Sequence, residues 1–554
     1  MRHLGWLLAV AAGGLLRFWG IAFGWPILSN LYVRPDESLV VVSGVEFFKN
    51  AGAPGTYAYP ALFLEMAAAV YRLMGADPPL EFGLDPSPYF LVVRCLAALF
   101  GTATVLMVYA VARQVLDRRW SALAAFVYAV SPLAVRDAHF GVTDTPSVFF
   151  QTAVVWFALR YLDGDPRSSK RAFWGAVAAL ALSMTTKYAG LLLVSVLASA
   201  VVVRAWRTRE PIPWRRLAGA AFAIAAVFVA VNPYLFLDFR KASAEIWSIL
   251  VVLYLWQPGD PVWTLPAALA QIVTPLRNGS GGWWGLGLAL MAVAYALRKR
   301  DWRLILIAQP VLSTFLVLLP FQHPVPYRYL LPALPGVSVL SIVLLERHSG
   351  RYRAVALAGG VLLLVAPGAW TATRFVRLLA REDTRTQAGR WIEAHVPREV
   401  PIVWLGGPEC EPQFVESAAS VGRRIQFAYR RYGPVSGAIV SAPYRLMKEA
   451  RERRSLSGWE VFRNPPRAEI PAGEFLLVTP EYPLPMARFT MPAPAQNLEI
   501  LGSPIVFRSL EEGFRDGLEL DRIDAWFLPF RPLEGVLRPG PGLRLQRMRL
   551  LDRE

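Results

Sequence analysis

Cysteine and histidine are scarce in this chain of 554 residues, which contains two cysteines and five histidines. Cys95 falls inside an apolar run and Cys410 lies in a distant polar region, so the sequence has no CxxC pair and no disulfide framework. No two histidines have the HxxxH spacing of a zinc site. Redox, thiolate–metal and zinc-hydrolase chemistry are therefore not expected.

Repeats of fixed period and low-complexity tracts are absent as well, whereas long apolar runs are abundant. The chain is 55% hydrophobic with a mean hydropathy of +0.37, and runs of about twenty apolar residues recur. The net charge of +17 would suggest nucleic acid in a soluble protein. Here many arginines stand in short loops between apolar runs, as membrane topology requires. We therefore expect the lipid bilayer as a partner and no nucleic acid.

The apolar runs predict a polytopic α-helical membrane protein with about eleven transmembrane helices. The predicted spans are 4–25, 90–112, 120–135, 146–162, 172–186, 188–204, 217–237, 283–297, 303–320, 328–345 and 353–373. The first run is interpreted as a retained transmembrane helix and not as a removed signal. The pair 172–186 and 188–204 also fits a single re-entrant hairpin.

Lysine and arginine set the predicted orientation. Basic residues are concentrated in alternate loops, at Arg113/Arg118/Arg119, Arg160/Arg167/Lys170/Arg171, Arg204/Arg207/Arg209/Arg215/Arg216, Arg298/Lys299/Arg300/Arg303 and Arg347/Arg351/Arg353. These loops, with Arg2, are expected on the cytoplasmic side of the inner (plasma) membrane. Everything after residue 374 then lies outside.

Two regions outside the membrane are long loops, 26–89 and 238–282, each with an apolar helix-like stretch expected to lie in the interface. Residues 1–374 are predicted to form the transmembrane domain. Beyond them, a helix-like stretch from Thr386 to His395 is followed by strand-like runs at Pro401–Leu405 and Glu474–Thr479. Residues 375–554 are therefore predicted to form a small α/β domain.

The first outer loop carries two adjacent acids, Asp36 and Glu37, in the stretch Arg34-Pro35-Asp36-Glu37. Acids beside a bilayer are costly unless they serve a site or a partner. A carboxylate here suits a general base that takes a proton from an acceptor hydroxyl. Alternatively, one acid merely caps the helix that follows. Adjacent helical residues point about 100° apart, so at most one acid is expected to face the reaction centre.

Later loops are expected to place further polar residues on the same outer side: Arg136, Asp137, His139, Asp144, Lys187, His323 and Arg328. Asp144, in His139–Pro146, is either a second catalytic carboxylate or a helix cap. A lone histidine such as His139 either donates a hydrogen bond to a phosphate or has a structural role. Arg136, Asp137, His139, His323 and Tyr188 are the candidates for orienting substrate.

Three basic residues are candidates for binding a phosphate. Arg328, in Pro326-Tyr327-Arg328-Tyr329-Leu330-Leu331-Pro332, lies on the outer side against the charge bias, so we expect an anionic partner. A guanidinium pairs bidentately with phosphate. Lys187 either binds a lipid phosphate or extends its ammonium to the interface. Arg17, late in the first span, either joins them or packs helices.

These stretches resemble the GT-C superfamily of membrane glycosyltransferases, especially the group of protein O-mannosyltransferases and bacterial lipid A aminoarabinose transferases. The resemblance is carried by Asp36-Glu37, Tyr59-Pro60-Ala61-Leu62, Tyr71-Arg72-Leu73-Met74-Gly75, His139–Pro146, Thr186-Lys187-Tyr188, Arg328–Pro332 and the tail Leu537-Arg538-Pro539-Gly540-Pro541-Gly542. Where the family often has Lys-Gly-Pro, this chain has Lys187-Tyr188-Ala189.

The resemblance implies an inverting enzyme that moves a hexose or pentose from a polyisoprenyl-phosphate carrier to an envelope lipid, glycan or protein. It implies that Asp36 is the base, and that Glu37 and Asp144 also belong to the catalytic site. The acidic motifs of the metal-dependent oligosaccharyltransferases are missing, so no essential metal or other cofactor is expected, with a divalent cation left open. The alternatives are a transporter or lipid-linked sugar flippase, whose polar residues would line a path through the membrane, and a structural partner in the envelope.

Overall fold

The computed structural model of the chain describes residues 4–31, 36–255, 262–279, 281–466, 469–480, 498–511 and 533–550. Arg2, Arg34, Pro35 and the end of the second loop's apolar stretch, at 256–261, lie outside these residues. The chain divides into two compact units, which do not follow the sequence order. The first comprises Met1–Trp19, Thr56–Met66 and Arg94–Val376, and the second comprises Gly20–Gly55, Ala67–Val93 and Arg377–Glu554.

In the described residues of the first unit, every regular element is a helix or a helical turn. Its α-helices are Leu4–Phe18, Arg118–Ala129, Pro132–Ala138, Asp144–Asp163, Pro166–Thr186, Val194–Thr208, Trp214–Val231, Pro233–Leu237, Phe239–Tyr254, Leu265–Gly279, Gly282–Lys299, Trp302–Leu318, Leu334–His348 and Arg353–Gly360. Short 3₁₀ turns occur at Tyr188–Leu193, Tyr327–Ala333 and Gly350–Tyr352, and a π-helical turn at Val361–Val365. Helices Leu62–Met74, Ser87–Ala112 and Ala366–Leu379 contain residues of both units.

Each predicted apolar run contains a helix, but fewer helices than predicted are long and apolar enough to cross a membrane. In the described part of the chain five qualify: Ser87–Ala112, Tyr188–Thr208, Trp214–Val231, Tyr327–His348 and a stretch within Gly350–His395. Counting the bent pair Leu265–Gly279 and Gly282–Lys299 as one span gives six. Leu4–Phe18 and Trp302–Leu318 are apolar but shorter. The count of eleven spans is not confirmed.

The helices expose apolar side chains that suit lipid contact. Phe222, in the middle of helix Trp214–Val231, is 77% exposed, and Leu316, in the last turn of helix Trp302–Leu318, is 74% exposed. Groups of this size are stabilised by removal from water, at about 25 cal/mol per Å² of apolar surface. A hydrocarbon environment supplies that removal where protein packing does not. The exposed apolar surface therefore agrees with an integral membrane protein.

Aspartate caps define many helix starts. Asp77, Asp117, Asp165, Asp301 and Asp383 each accept a hydrogen bond from a backbone N–H in the first turn of the helix that follows. Such caps satisfy donors that have no partner within the helix. Proline follows Asp77 and Asp165 directly, at a position where its missing N–H costs nothing. These five aspartates show what an ordinary cap looks like in this chain.

The second unit contains helices Glu37–Glu46, Pro78–Leu84, Thr384–His395 and Ala418–Arg454, the last interrupted at Gly433, whose φ is 75°. Its strands are β1 Ile402–Trp404, β2 Val461–Arg463, β3 Gly473–Pro480, β4 Leu498–Ile500, β5 Ile505–Phe507 and β6 Leu543–Leu550. The sheet order is β2-β1-β3-β6-β4, with β5 also on β6. β1 pairs in parallel with β2 and β3, whereas the pairs made by β6 are antiparallel. A small strand region is therefore present beyond residue 374, where the sequence predicts strands.

Both faces of this sheet are covered by apolar side chains. Trp404 and Leu476 pack with Ile392 of the Thr384–His395 helix on one face, and Val403 packs with Phe475 on the other. Successive residues alternate because side chains of a strand point to opposite faces of the sheet. The predicted strands 401–405 and 474–479 correspond to β1 and β3.

Candidate active site

Three charged side chains meet in the first unit although they are distant in sequence. Asp144 begins the Asp144–Asp163 helix, Lys187 follows the end of the Pro166–Thr186 helix, and Arg328 lies in the 3₁₀ turn Tyr327–Ala333. The Lys187 ammonium donates to Asp144 Oδ1, and Arg328 Nε lies 3.7 Å from Asp144 Oδ2. One carboxylate therefore contacts two cations, one with each oxygen.

The Tyr329 ring belongs to the same cluster. Lys187 Nζ lies 4.6 Å from the ring centroid and Arg328 Cζ lies 5.4 Å from it. A cation over an aromatic face is attracted by the ring quadrupole, by about 0.5–2 kcal/mol depending on solvation. Tyr329 therefore helps to hold both basic groups where a single carboxylate would leave them less restrained.

The cluster brings two basic groups together and is shielded from solvent. Asp144 is 3% exposed, Arg328 is 5% exposed, and the Lys187 side chain is 18% exposed. Charge interactions are stronger where water is excluded. Two basic donors held side by side suit an anion, and the fork of a guanidinium matches a phosphate in particular. Lys187, as the more exposed cation, lies at the accessible edge of the cluster.

Asp144 is not an ordinary helix cap. It is the first residue of its helix, Thr143 occupies the cap position, and Thr143 makes no side-chain cap hydrogen bond. The Asp144 carboxylate instead contacts the two cations. The contacts therefore favour a role for Asp144 as a carboxylate that balances two cations over a role as a helix cap.

The acid pair of the first loop lies in the second unit, at the start of the Glu37–Glu46 helix. Asp36 occupies the cap position but makes no side-chain cap hydrogen bond, unlike the five capping aspartates described above. Asp36 is partly exposed, whereas Glu37 is fully buried. Burial raises the pKa of Tyr71 well above its usual value, and the charge of Glu37 adds to this rise. Exposure favours Asp36 over Glu37 as the acid that meets a substrate.

The C-terminal region holds the loop that carries this acid pair. Gln413 accepts hydrogen bonds from the backbone N–H groups of Leu28 and Asn30 and donates to the Asn30 carbonyl at 2.7 Å. Beyond the acid pair, Lys49 forms an ion pair of 2.6 Å with Glu449. Residues on both sides of Asp36 are thus attached to the region that follows the predicted boundary at 374.

A buried charge network supports this attachment. Arg424 donates to the Ser29 carbonyl at 2.5 Å and pairs with Glu411. Arg463 joins Glu411 at 2.5 Å and Glu416 at 2.7 Å. Removing one member of such a network leaves an uncompensated buried charge and typically costs about 3–5 kcal/mol. The network therefore fixes the attachment of the loop.

Other predicted residues are engaged elsewhere. Arg136 donates to the adjacent Asp137 at 3.1 Å, and both side chains are buried. The His139 ring nitrogens face the carbonyls of Val135 and Trp19, at 2.8 and 3.0 Å. These contacts favour the structural alternative for His139 and indicate that Arg136 and Asp137 pair with each other.

Arg17 is also engaged by backbone. Its guanidinium donates to the carbonyls of Gly13 and Ala129, at 3.0 and 2.9 Å, and the side chain is fully buried. Ala129 ends the Arg118–Ala129 helix, where carbonyls lack helical partners and favour a positive charge. The contacts therefore favour the helix-packing alternative for Arg17. His323 is partly exposed.

A second polar group adjoins Tyr188, and the sequence patterns did not single it out. The Tyr188 hydroxyl donates to the Tyr57 carbonyl at 3.0 Å, and the Tyr57 hydroxyl donates to Asp238 at 3.3 Å. Burial and the Asp238 charge raise the pKa of Tyr57 to about 12, so the phenol stays protonated. Glu245 binds the same segment. A lone acid within the apolar helix Phe239–Tyr254 was the signal that would have indicated it.

Within the described ranges, no three His, Cys, Asp or Glu side chains come together as a metal-binding group. The expectation that the reaction needs no essential metal stays a prediction.

Known proteins resemble the chain both in sequence and in fold. Residues 55–248 match the family model described as dolichyl-phosphate-mannose-protein mannosyltransferase. ArnT from Cupriavidus metallidurans in the apo state aligns over 87% of this chain and 94% of its own, with a TM-score of 0.50 and 15% identity. The same protein bound to undecaprenyl phosphate aligns over 86% and 94%, with a TM-score of 0.50 and 14% identity.

The Archaeoglobus fulgidus oligosaccharyltransferase in the apo form aligns more loosely, with a TM-score of 0.47 and 13% identity over 87% of this chain and 69% of its own. No curated protein sequence matches the chain. The fold is therefore that of the GT-C membrane glycosyltransferases, and the predicted resemblance to this superfamily is confirmed. Within the superfamily, the matching sequence family is that of the mannosyltransferases named above.

Proposed function

We propose that the protein is an inverting glycosyltransferase of the inner membrane. It moves a hexose or pentose from a polyisoprenyl-phosphate carrier to a lipid, glycan or protein acceptor on the extracytoplasmic face. The observation that carries the proposal is the buried cluster in which Asp144 and the Tyr329 ring hold two basic groups, Lys187 and Arg328, side by side. The crystal structure of ArnT bound to undecaprenyl phosphate, which shares the fold, supports a lipid phosphate as the anion.

The reaction is a single displacement at the anomeric carbon. We assign the general base to Asp36, which takes the proton of the acceptor hydroxyl while the acceptor oxygen bonds to the sugar. The bond between the anomeric carbon and the phosphate oxygen breaks, and the carrier leaves as polyisoprenyl phosphate. The partial exposure of Asp36 supports this role. Glu37, fully buried beside it, orients the start of the helix.

Negative charge grows on the carrier phosphate as the sugar departs. Arg328 and Lys187 are assigned to that phosphate, and Asp144 to holding the two cations in place. Donors fixed before the reaction stabilise the developing charge more than they stabilise the resting substrate. Tyr188 and His323 remain candidates for orienting substrate. The N-terminus is placed in the cytoplasm and residues after 374 outside, in accordance with the basic loops.

Mass spectrometry of envelope lipids, glycans and glycoproteins tests this function in a strain that lacks the gene. Complementation with wild-type protein should restore one hexose or pentose mass on one acceptor class. Arg328→Ala should not restore it, whereas Arg215→Ala, at an exposed position in the first turn of helix Trp214–Val231, should. Identical spectra with and without the gene would contradict a glycosyltransferase. If donor lipid also accumulates on one side of the membrane in the strain that lacks the gene, the result would favour the transporter or flippase alternative.

A further inference from the structure

Residues Thr56–Ala61 enter the first unit as a short segment that other elements hold at both ends. The Thr56 hydroxyl and the Tyr57 N–H donate to Glu245 Oε2, at 2.8 and 2.7 Å. The Ala61 N–H donates to Asn232 Oδ1 at 2.7 Å. These partners stand 171 to 189 residues later in the chain.

Glu245 is placed to hold this segment and not to meet substrate. It is 6% exposed, and its other oxygen, Oε1, is buried 3.8 Å from Lys241 Nζ. A buried carboxylate costs free energy unless its hydrogen bonds repay the loss of water. Hydrogen bonds to an ionised acceptor are roughly twice as strong as neutral ones. An acid at this position therefore restrains Thr56 and Tyr57 more firmly than a neutral side chain would.

The backbone carbonyl of Tyr57 extends this restraint towards the cation cluster. The Tyr57 carbonyl accepts from the Tyr188 hydroxyl at 3.0 Å, and Tyr188 directly follows Lys187. Lys187 is extended, with φ −152° and ψ 133°, between the Pro166–Thr186 helix and the 3₁₀ turn Tyr188–Leu193. At such a break, the direction of the lysine side chain depends on how the next residue is held.

We propose that Glu245 is a positioning residue for the donor phosphate site. It fixes Tyr57, Tyr57 fixes Tyr188, and Tyr188 holds the chain break so that the Lys187 ammonium stays between Asp144 and the Tyr329 ring. This inference rests on the proposed role of Lys187 and Arg328 in binding the carrier phosphate. It assigns a task to the helix Phe239–Tyr254 of the second long loop, namely to keep the phosphate site assembled.

Steady-state kinetics with purified protein and undecaprenyl-phosphate-linked hexoses and pentoses test the inference. Glu245→Ala should raise the KM for the consumed donor about tenfold and change kcat little, because two charge-assisted hydrogen bonds to the Tyr57 segment are lost. Tyr188→Phe should raise the same KM by a similar factor. The double variant should be no worse than the worse single variant, because both changes break one chain of contacts.

Glu245→Gln keeps an acceptor oxygen and should raise the donor KM only about threefold. If Glu245→Ala does not fold, the donor KM of Glu245→Gln tests the inference alone. Ser248→Ala, on the same helix, is the matched control and should leave the donor KM unchanged.

A normal donor KM in Glu245→Ala and Glu245→Gln, with active wild-type protein, would overturn this inference alone. Multiplying effects of Glu245→Ala and Tyr188→Phe would also overturn it. Wild-type protein that consumes none of these donors would overturn the proposed function, and this inference with it.

Discussion

Asn30 and Gln413 stand 383 residues apart and exchange two hydrogen bonds, one in each direction between the Gln413 amide and the Asn30 backbone. A side-chain amide bound in this way reproduces a strand-like pairing and fixes the direction of the backbone. Asn30 precedes the acid pair by six residues in the sequence. The C-terminal region therefore contributes to positioning Asp36.

Gln413→Ala should lower kcat for sugar transfer about tenfold while the donor KM stays near that of wild type. The reason is that the loop carrying the proposed base, Asp36, loses its attachment, whereas the cation cluster keeps its contacts. The stability of the protein should fall by about 1–3 kcal/mol, as expected for lost buried hydrogen bonds. Kinetics and thermal unfolding in detergent measure both effects. Gln426→Ala, at an exposed position of the same region, is the control; a raised donor KM with unchanged kcat in Gln413→Ala would contradict the prediction.

Asp144→Asn should raise the donor KM about tenfold or more, because Lys187 and Arg328 lose the charge that holds them. Its kcat should fall much less. Asp165→Asn, which alters an exposed capping aspartate, should behave as wild type. If Asp144→Asn instead lowers kcat by about a hundredfold at unchanged donor KM, Asp144 is the general base.

Arg328→Lys should be impaired, because it keeps the charge but loses the fork that binds phosphate bidentately. Arg328→Ala should be worse, with both donor affinity and turnover reduced, since the guanidinium stabilises the leaving phosphate. Initial rates at limiting donor measure the order. Equal rates for wild type and Arg328→Ala would move phosphate binding to Lys187.

Cysteine labelling tests the topology. Arg430→Cys should react with an impermeant thiol reagent in intact cells that lack an outer barrier, because residues after 374 are predicted outside. Arg215→Cys, in a predicted cytoplasmic loop, should react only after lysis. The native Cys410 should stay silent, since it is 4% exposed and burial raises the pKa of its thiol well above the usual value. Protection of Arg430→Cys until lysis would reverse the predicted orientation.

The sequence predicts much of the helical framework because apolar runs and capping residues are local signals. The run 146–162 corresponds to helix Asp144–Asp163, and 90–112 corresponds to Ser87–Ala112. The number of spans is harder to predict from local sequence, because a helix such as Trp302–Leu318 is apolar but short for a membrane span. The two strands named in advance lie in the C-terminal sheet, but the pairing of β3 with β6, more than sixty residues later, had no local sign.

For the candidate site, the sequence indicates residues that are unusual where they stand. Arg328 opposes the charge bias of its loop, and Asp144 lies at a helix start, and the structure brings both to Lys187. Glu245 and Asn232 were missed because their partners, in Thr56–Ala61, stand 171 to 189 residues earlier in the chain and are decided by packing. Arg17 shows the converse, since an out-of-place charge binds backbone carbonyls.

The most direct test of the central claim is transfer by purified wild-type protein and Asp36→Asn. Each is reconstituted with undecaprenyl-phosphate-linked sugars and an envelope extract as the acceptor source, and the release of undecaprenyl phosphate is followed together with donor binding. The account predicts release by wild type, and release slower by about a hundredfold or more in Asp36→Asn with donor binding retained. Turnover of Asp36→Asn near that of wild type would contradict the assignment of the base, and no release by wild type would contradict the proposed reaction.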